Sequence, residues 1–211
     1  FLLRNNSSLN TSSEFARATA GSITIDATSR FGIENNSQLL ATSVISGDGG
    51  KVSVSADTIV LRSQSAIDVK TEGAGNANLV DLVATTSITI DQQSTLNAST
   101  SGIGNGGDVR LTAPIINIDD SDIVGAVSGL GAGGDIFLIG DAVNISGGST
   151  FNVSSLAPGA VGGNAGLIDI KSGSVSVSGG SRFQLVSVGA GQAGRLKLEA
   201  TSINFTDSAI E

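Results

Sequence analysis

The chain has no cysteine, methionine, tryptophan, tyrosine or histidine among its 211 residues, and only two prolines. Without cysteine there is neither a disulfide framework nor thiol chemistry. Without histidine the commonest metal ligand and general base is missing. Positive charge is scarce as well: 11 Lys and Arg face 19 Asp and Glu, for a net charge of −8. That balance disfavours nucleic acid and anionic membrane as partners, because both reward Lys and Arg. No apolar run approaches the roughly 20 residues of a membrane-spanning helix, so membrane insertion is not expected. Phe1 opens the chain with no charged n-region of a signal peptide behind it. The expectation is a single β-helical segment over residues 1–211, internal to a longer repetitive chain.

Glycine, in contrast, is abundant at 29 residues, and seven Phe are the only aromatics. The core must therefore be built from Val, Ile and Leu, which favour strands. Few prolines and a positive mean hydropathy separate the chain from a disordered Gly/Ser linker.

A serine followed by one residue and then an apolar one recurs through the whole length. The marker serines are Ser7, Ser37, Ser65, Ser94, Ser121, Ser149, Ser181 and Ser208. Their spacings are 30, 28, 29, 27, 28, 32 and 27 residues, the mark of a repeat architecture. Each period holds three short alternating runs. The first is typified by Val52-Ser53-Val54, the second by Ile59-Val60-Leu61, and the third starts at the marker serine. Period-two alternation is the signature of a strand with one buried face.

Three strands per ~29 residues predict an all-β, right-handed parallel β-helix of about seven coils. A β-sandwich or propeller would need antiparallel hairpins, and the strict three-run period lacks them. Length varies in the Gly-rich turn that follows the third run, where Leu156 to Gly166 form the longest example.

Aligned on the apolar residues, the coils generate columns that test the register. Phe1 falls over Phe31, and Phe151 over Phe183. Asn5-Asn6 falls over Asn35-Asn36, and Gly147-Gly148 over Gly179-Gly180. Outward charges alternate in sign, as in Arg4, Glu34, Arg62 and Asp91, or Asp169 beside Lys197 and Lys171 beside Glu199. Opposite charges across parallel strands support the same register that the apolar residues set.

Asp119, Asp120 and Asp122 form an oxygen-rich cluster of the kind that Ca²⁺ prefers, although a polar corner between second and third strands explains them more simply. Gly-Asp turns at Asp48, Asp108 and Asp135 are reminiscent of calcium-binding β-rolls, but those need a nine-residue period. The Gly-x-Gly strings have no following Gly-Lys-Ser/Thr and open no helix, so they are not phosphate loops. Asn-x-Ser/Thr tripeptides such as Asn97-Ala98-Ser99 follow from composition. Polysaccharide-cleaving β-helices need clustered carboxylates with basic partners, whereas the charges here are dispersed. No catalytic or cofactor-binding residue is expected, and hence no enzyme. An ice-binding array of outward Thr is not supplied by Gln38, Ala66, Thr95, Asp122, Thr150 and Arg182. Phe137 and Ile139 fall at outward positions of a first run, with Val83 similarly placed two coils earlier, so these three are the candidate lateral contact.

The phrases Gly104-Asn105-Gly106-Gly107-Asp108-Val109-Arg110-Leu111-Thr112-Ala113 and Ala193-Gly194-Arg195-Leu196-Lys197-Leu198-Glu199-Ala200 resemble the filamentous-haemagglutinin type of exoprotein repeat. In particular they resemble the large two-partner-secretion exoproteins of cyanobacteria, and the similarity spans essentially the whole chain. That resemblance implies an extracellular or cell-surface rod, exported by a bacterium of the Gram-negative type through an outer-membrane partner. It also implies roles in adhesion, aggregation or fibre formation. The family's amino-terminal secretion motif is absent from these residues. Expected partners are further coils of the same chain, identical subunits stacked end to end, cell-surface glycans or other cells. The competing expectation is a non-catalytic scaffold within a carbohydrate-active or carbohydrate-binding exoprotein.

Overall fold

A computed structural model of the chain describes residues 1–157, 159 and 162–211. Pro158, Ala160 and Val161 of the long Gly-rich turn lie outside the described residues. Among the described residues there are eighteen strands and no helix. In chain order they begin with β1 (Leu2–Arg4), β2 (Ser8–Asn10), β3 (Ile23–Asp26), β4 (Arg30–Glu34), β5 (Gln38–Leu40) and β6 (Val52–Arg62). Then come β7 (Ala66–Asp68), β8 (Val80–Ile90), β9 (Thr95–Asn97), β10 (Val109–Thr112), β11 (Ile115–Asp119) and β12 (Asp122–Val124). The last six are β13 (Ile136–Ser146), β14 (Thr150–Asn152), β15 (Leu167–Val177), β16 (Arg182–Gln184), β17 (Arg195–Phe205) and β18 (Ala209–Ile210).

Every strand pair is parallel and joins residues one coil apart, as in Val52↔Val80 and Ile67↔Leu96. The outcome is a parallel β-helix of about seven coils, as the repeat predicts. The predicted register also holds. Arg4 pairs with Glu34, Asp81 with Arg110, Asp169 with Lys197 and Lys171 with Glu199.

The three-strand coil needs one correction. First and second runs fuse into single eleven-residue strands in β6, β8, β13, β15 and β17. Their burial explains how one strand serves two faces. Val52, Val54 and Ala56 point inward, and then the phase slips by one, so that Ile59 and Leu61 do. Alternation broken by a single residue is a strand turning a corner without leaving its ladder. Ala56, Ala84 and Ala113 sit at the inside of that corner, where larger side chains would collide. Pro114 is the exception that separates β10 from β11, because it has no N–H to give the ladder. Its carbonyl still accepts from the Asp141 and Ala142 amides.

A further ladder had no counterpart among the three runs. Ser13, Ser43, Thr71, Thr100, Val127, Ser155 and Ser187 form a column of single parallel bridges just after the third strand. They continue the inward alternation of the shorter sheet, and Thr71 Oγ1 donates to Thr100 Oγ1 at 2.8 Å within the buried column.

The marker serine closes the corner between second and third strands. Most of these corners use two successive residues in the left-handed region: Asn5-Asn6, Asn35-Asn36, Ser63-Gln64, Gln92-Gln93, Gly147-Gly148 and Gly179-Gly180. Asp120 and Asp207 make the same corner with one left-handed residue. Length variation is therefore not confined to the Gly-rich turn, as the spacing alone suggested. The serine hydroxyl then donates back across the corner, from Ser65 to the Arg62 carbonyl and from Ser181 to the Ser178 carbonyl, both at 2.7 Å. Each also accepts from the marker amide of the preceding coil, for example Ser37 N–H to Ser65 Oγ at 3.4 Å.

Stacked amides complete the outside of these corners, with Asn35 Nδ2 donating to Asn5 Oδ1 at 3.1 Å and Asn36 Nδ2 to Asn6 Oδ1 at 2.9 Å. Inside, Phe183 lies between Phe151 and Phe205, with ring centroids 5.2 and 5.9 Å apart. Phe205 is an addition to the predicted pair. Phe1 stacks on Phe31 at 5.5 Å but is half exposed rather than buried.

Candidate functional site

The outward face of the long sheet carries the candidate lateral contact. Val83, Thr112 and Ile139 follow one another in a single column of adjacent coils. Phe137 occupies the neighbouring column, between Arg110 and Asp169. The structure thus brings the three predicted residues onto one face but separates them with polar ones. Val83 and Ile139 are exposed, while Phe137 is half-buried beneath the Arg110 guanidinium, 5.4 Å from its ring centroid. That cation–π contact already occupies the ring face.

The next two coils turn this face into a charge lattice. Lys171 and Lys197 approach Asp169 at 3.8 and 3.7 Å, and Lys171 lies 3.8 Å from Glu199. Lys197 and Glu199 are paired by a hydrogen bond that raises the lysine pKa and lowers that of the carboxylate. Asp169 is buried, with both lysines neutralising it. These groups satisfy one another, and none is left poised to transfer a proton.

Asp119, Asp120 and Asp122 have three different local duties. Asp119 Oδ1 accepts from Ser146 Oγ of the next coil at 2.6 Å. Asp120 is the left-handed residue of its corner, and Asp122 stands outward on β12 between Thr95 and Thr150. Among the described residues no three acidic, His or Cys side chains gather into a metal-holding group.

A different surface emerges along the edge where the Gly-rich turn follows the bridge column. Phe15, Ile45, Ile103, Leu130, Leu156 and Val188 are all exposed there, in successive coils apart from one. The missing coil supplies Ala74, with Lys70 and Glu72 paired beside it at 3.2 Å. Close stacking of the turn forces the alignment. A Cβ on Gly73, Gly102 or Gly129 would collide with the carbonyl of Ile45, Gly73 or Gly102 respectively, so only glycine lets the backbones approach. Ile103 and Leu130, each next in chain after a stacked glycine, are thereby held side by side.

Next to this line runs a groove of about 360 Å³, between the outer side of the short sheet and the bridge column. Asn97, Ser99 and Val124 form one wall, and Ser101, Ser128 and Leu156 the other. The wall is shaped by side-chain acceptors: Asp68 Oδ1 takes the Lys70 amide at 2.9 Å and Asn97 Oδ1 the Ser99 amide at 3.0 Å. The sequence reading missed this edge because its apolar residues come one per turn, surrounded by glycine. Aligning the turns by the repeat would have revealed the column.

No family model, curated protein or solved structure matches the chain. What the described surface offers is two chemically distinct sides. One is a lattice of paired charges on the long sheet, and the other is an apolar line with a groove beside it. Burial holds Asp68, at the groove wall, above the ordinary carboxylate range despite the Lys70 amide and ammonium nearby. It is engaged as a corner acceptor, and no nucleophile or second carboxylate faces it within the groove lining.

Proposed function

We propose that this chain is the rod-forming part of a secreted or cell-surface structural or adhesive protein, acting through its repeated coil rather than through a catalytic site. The observation that carries this reading is where the polar chemistry goes. Marker serines, corner amides, bridge threonines and paired charges all bond to the coil above or below. A side chain bound into an axial ladder is withdrawn from substrate chemistry and adds rigidity along the rod. The absence of cysteine suits export without a redox requirement, and the filamentous-haemagglutinin-like phrases point to the same setting. On this reading the localisation is extracellular, in a bacterium of the Gram-negative type. The partners are other rods or coils, cell-surface glycans or other cells.

Electron microscopy and fibre diffraction of cell-surface material from the producing cells test it. Rods decorated by antibody to this chain, with a ~4.8 Å axial reflection, are the expected result. Antibody signal confined to the cell interior, or glycan cleavage by the purified chain, would overturn the proposal.

A further inference from the structure

The apolar line and its neighbouring groove bear on assembly, whatever the biological role of the rod. We infer that two copies of this chain pair side by side along that edge, the apolar line of each lying in the groove of the other. Three observations single out a second copy as the occupant. The first is period. Ile45, Ile103, Leu130, Leu156 and Val188 stand on a parallel ladder, so they repeat at about 4.8 Å per coil. A surface that meets each of them in turn must carry the same repeat, and another coil edge does so by construction.

Shape is the second observation. Line and groove run side by side along the rod, because Leu156 belongs to both. A two-fold rotation therefore places each line opposite the other groove at once, which is the self-complementary arrangement of a closed dimer. Charge is the third. The chain carries −8 in all, and most faces of two rods would repel. Along this edge the charged groups of the third coil, Lys70 and Glu72, are already paired with each other. Pairing here brings apolar and neutral groups together and leaves the charge lattice on the long sheet facing water.

The area sets the strength. Seven coils at ~4.8 Å give a line roughly 30 Å long, and line plus groove are about 15–20 Å wide. Some 500 Å² per partner is at the low end of specific interfaces, so pairing should be reversible and concentration-dependent.

Sedimentation equilibrium of the purified chain across micromolar to millimolar concentration provides the test. The expected result is a mass rising toward twice the monomer. Ile103→Asp with Leu130→Asp should weaken pairing at least tenfold, with an unchanged circular-dichroism spectrum and melting temperature, since both side chains are exposed. Cysteine adds a second readout, because the native chain has none. Ile103 lies midway along the line, so full overlap sets it against its own counterpart whichever way the rods run. Ile103→Cys should therefore oxidise readily to a covalent dimer, whereas Ser53→Cys, on the long sheet, should not. The inference fails if the wild type stays monomeric throughout, or if the double Asp variant pairs equally well. It also fails if the two cysteine variants cross-link alike, or if monomers co-sediment with phosphatidylcholine vesicles instead of pairing.

Discussion

At the scale of single residues, the fold depends on small polar groups doing work usually assigned to large apolar ones. A buried serine is common enough, yet here Ser37, Ser65, Ser94, Ser121, Ser149 and Ser181 are all buried at equivalent places. Each must leave the left-handed corner, satisfy a carbonyl within it and still fit beneath the next coil. Serine meets these demands because its hydroxyl both donates and accepts and its volume is small. Ser65→Ala would strand the Arg62 carbonyl and the Ser37 amide, which it serves at 2.7 and 3.4 Å. Loss of a buried partner costs about 1–3 kcal/mol. The urea midpoint of Ser65→Ala should fall accordingly, while Ser208→Ala, on a half-exposed corner, should fall by less. Equal losses at both sites would show that the hydroxyl network is not what closes the corner.

At the scale of elements, corners rather than strands hold the titratable groups that respond to pH. Burial raises the pKa of Asp68, Asp91 and Asp135 above the ordinary 3.8. Asp108 adds to the effect at Asp135, and Asp119 and Glu34 add at Asp91, where Arg62 opposes them. A carboxylate with a raised folded-state pKa binds more protons folded than unfolded, so stability rises as pH falls toward 3.8. Glu199 has the opposite shift, but it is exposed and solvent screens its pairing with Lys197. Protonation also relieves the self-repulsion of a chain carrying −8. The urea midpoint should therefore be higher at about pH 5 than at about pH 7. Asp135→Asn, which keeps an acceptor for the Leu167 amide, should flatten that slope, and a midpoint that drops on acidification would refute the assignment. The strands themselves were readable in advance, because Val52, Val54, Ile59 and Leu61 announce their inward faces by alternation. Their fusion into one eleven-residue element was not, since Ala56, Asp57 and Thr58 look like a linker when only apolar residues are weighed. The same bias hid Ser43, Thr71 and Thr100, whose inward column is polar, and the exposed line through Ile103 and Leu130, whose setting is glycine. Alternation reports burial against a core and is silent about ladders made of hydroxyls or backbone.

At the scale of the whole molecule, each coil touches only its neighbours, so stability is distributed along one dimension. The element contacts obey this strictly: β6 packs on β8, β13 on β15 and β15 on β17. Such a stack has no single central nucleus whose loss unfolds everything equally, but it has places where one side chain couples several coils. Phe183 is the clearest, fully buried and in ring contact with Phe151 before it and Phe205 after it. Phe183→Ala would remove both contacts and leave a cavity that the β-ladders on either side cannot close, at a cost of about 3–5 kcal/mol. In a globular core that loss would lower protection everywhere. In a one-dimensional stack it should be local. Hydrogen exchange is expected to accelerate across β14, β15, β16 and β17, while amides of β6 and β8 keep nearly the rates of the wild type. Uniform acceleration from β6 to β17 would mean that the coils unfold as one cooperative unit, and that their coupling exceeds the intrinsic stability of each coil.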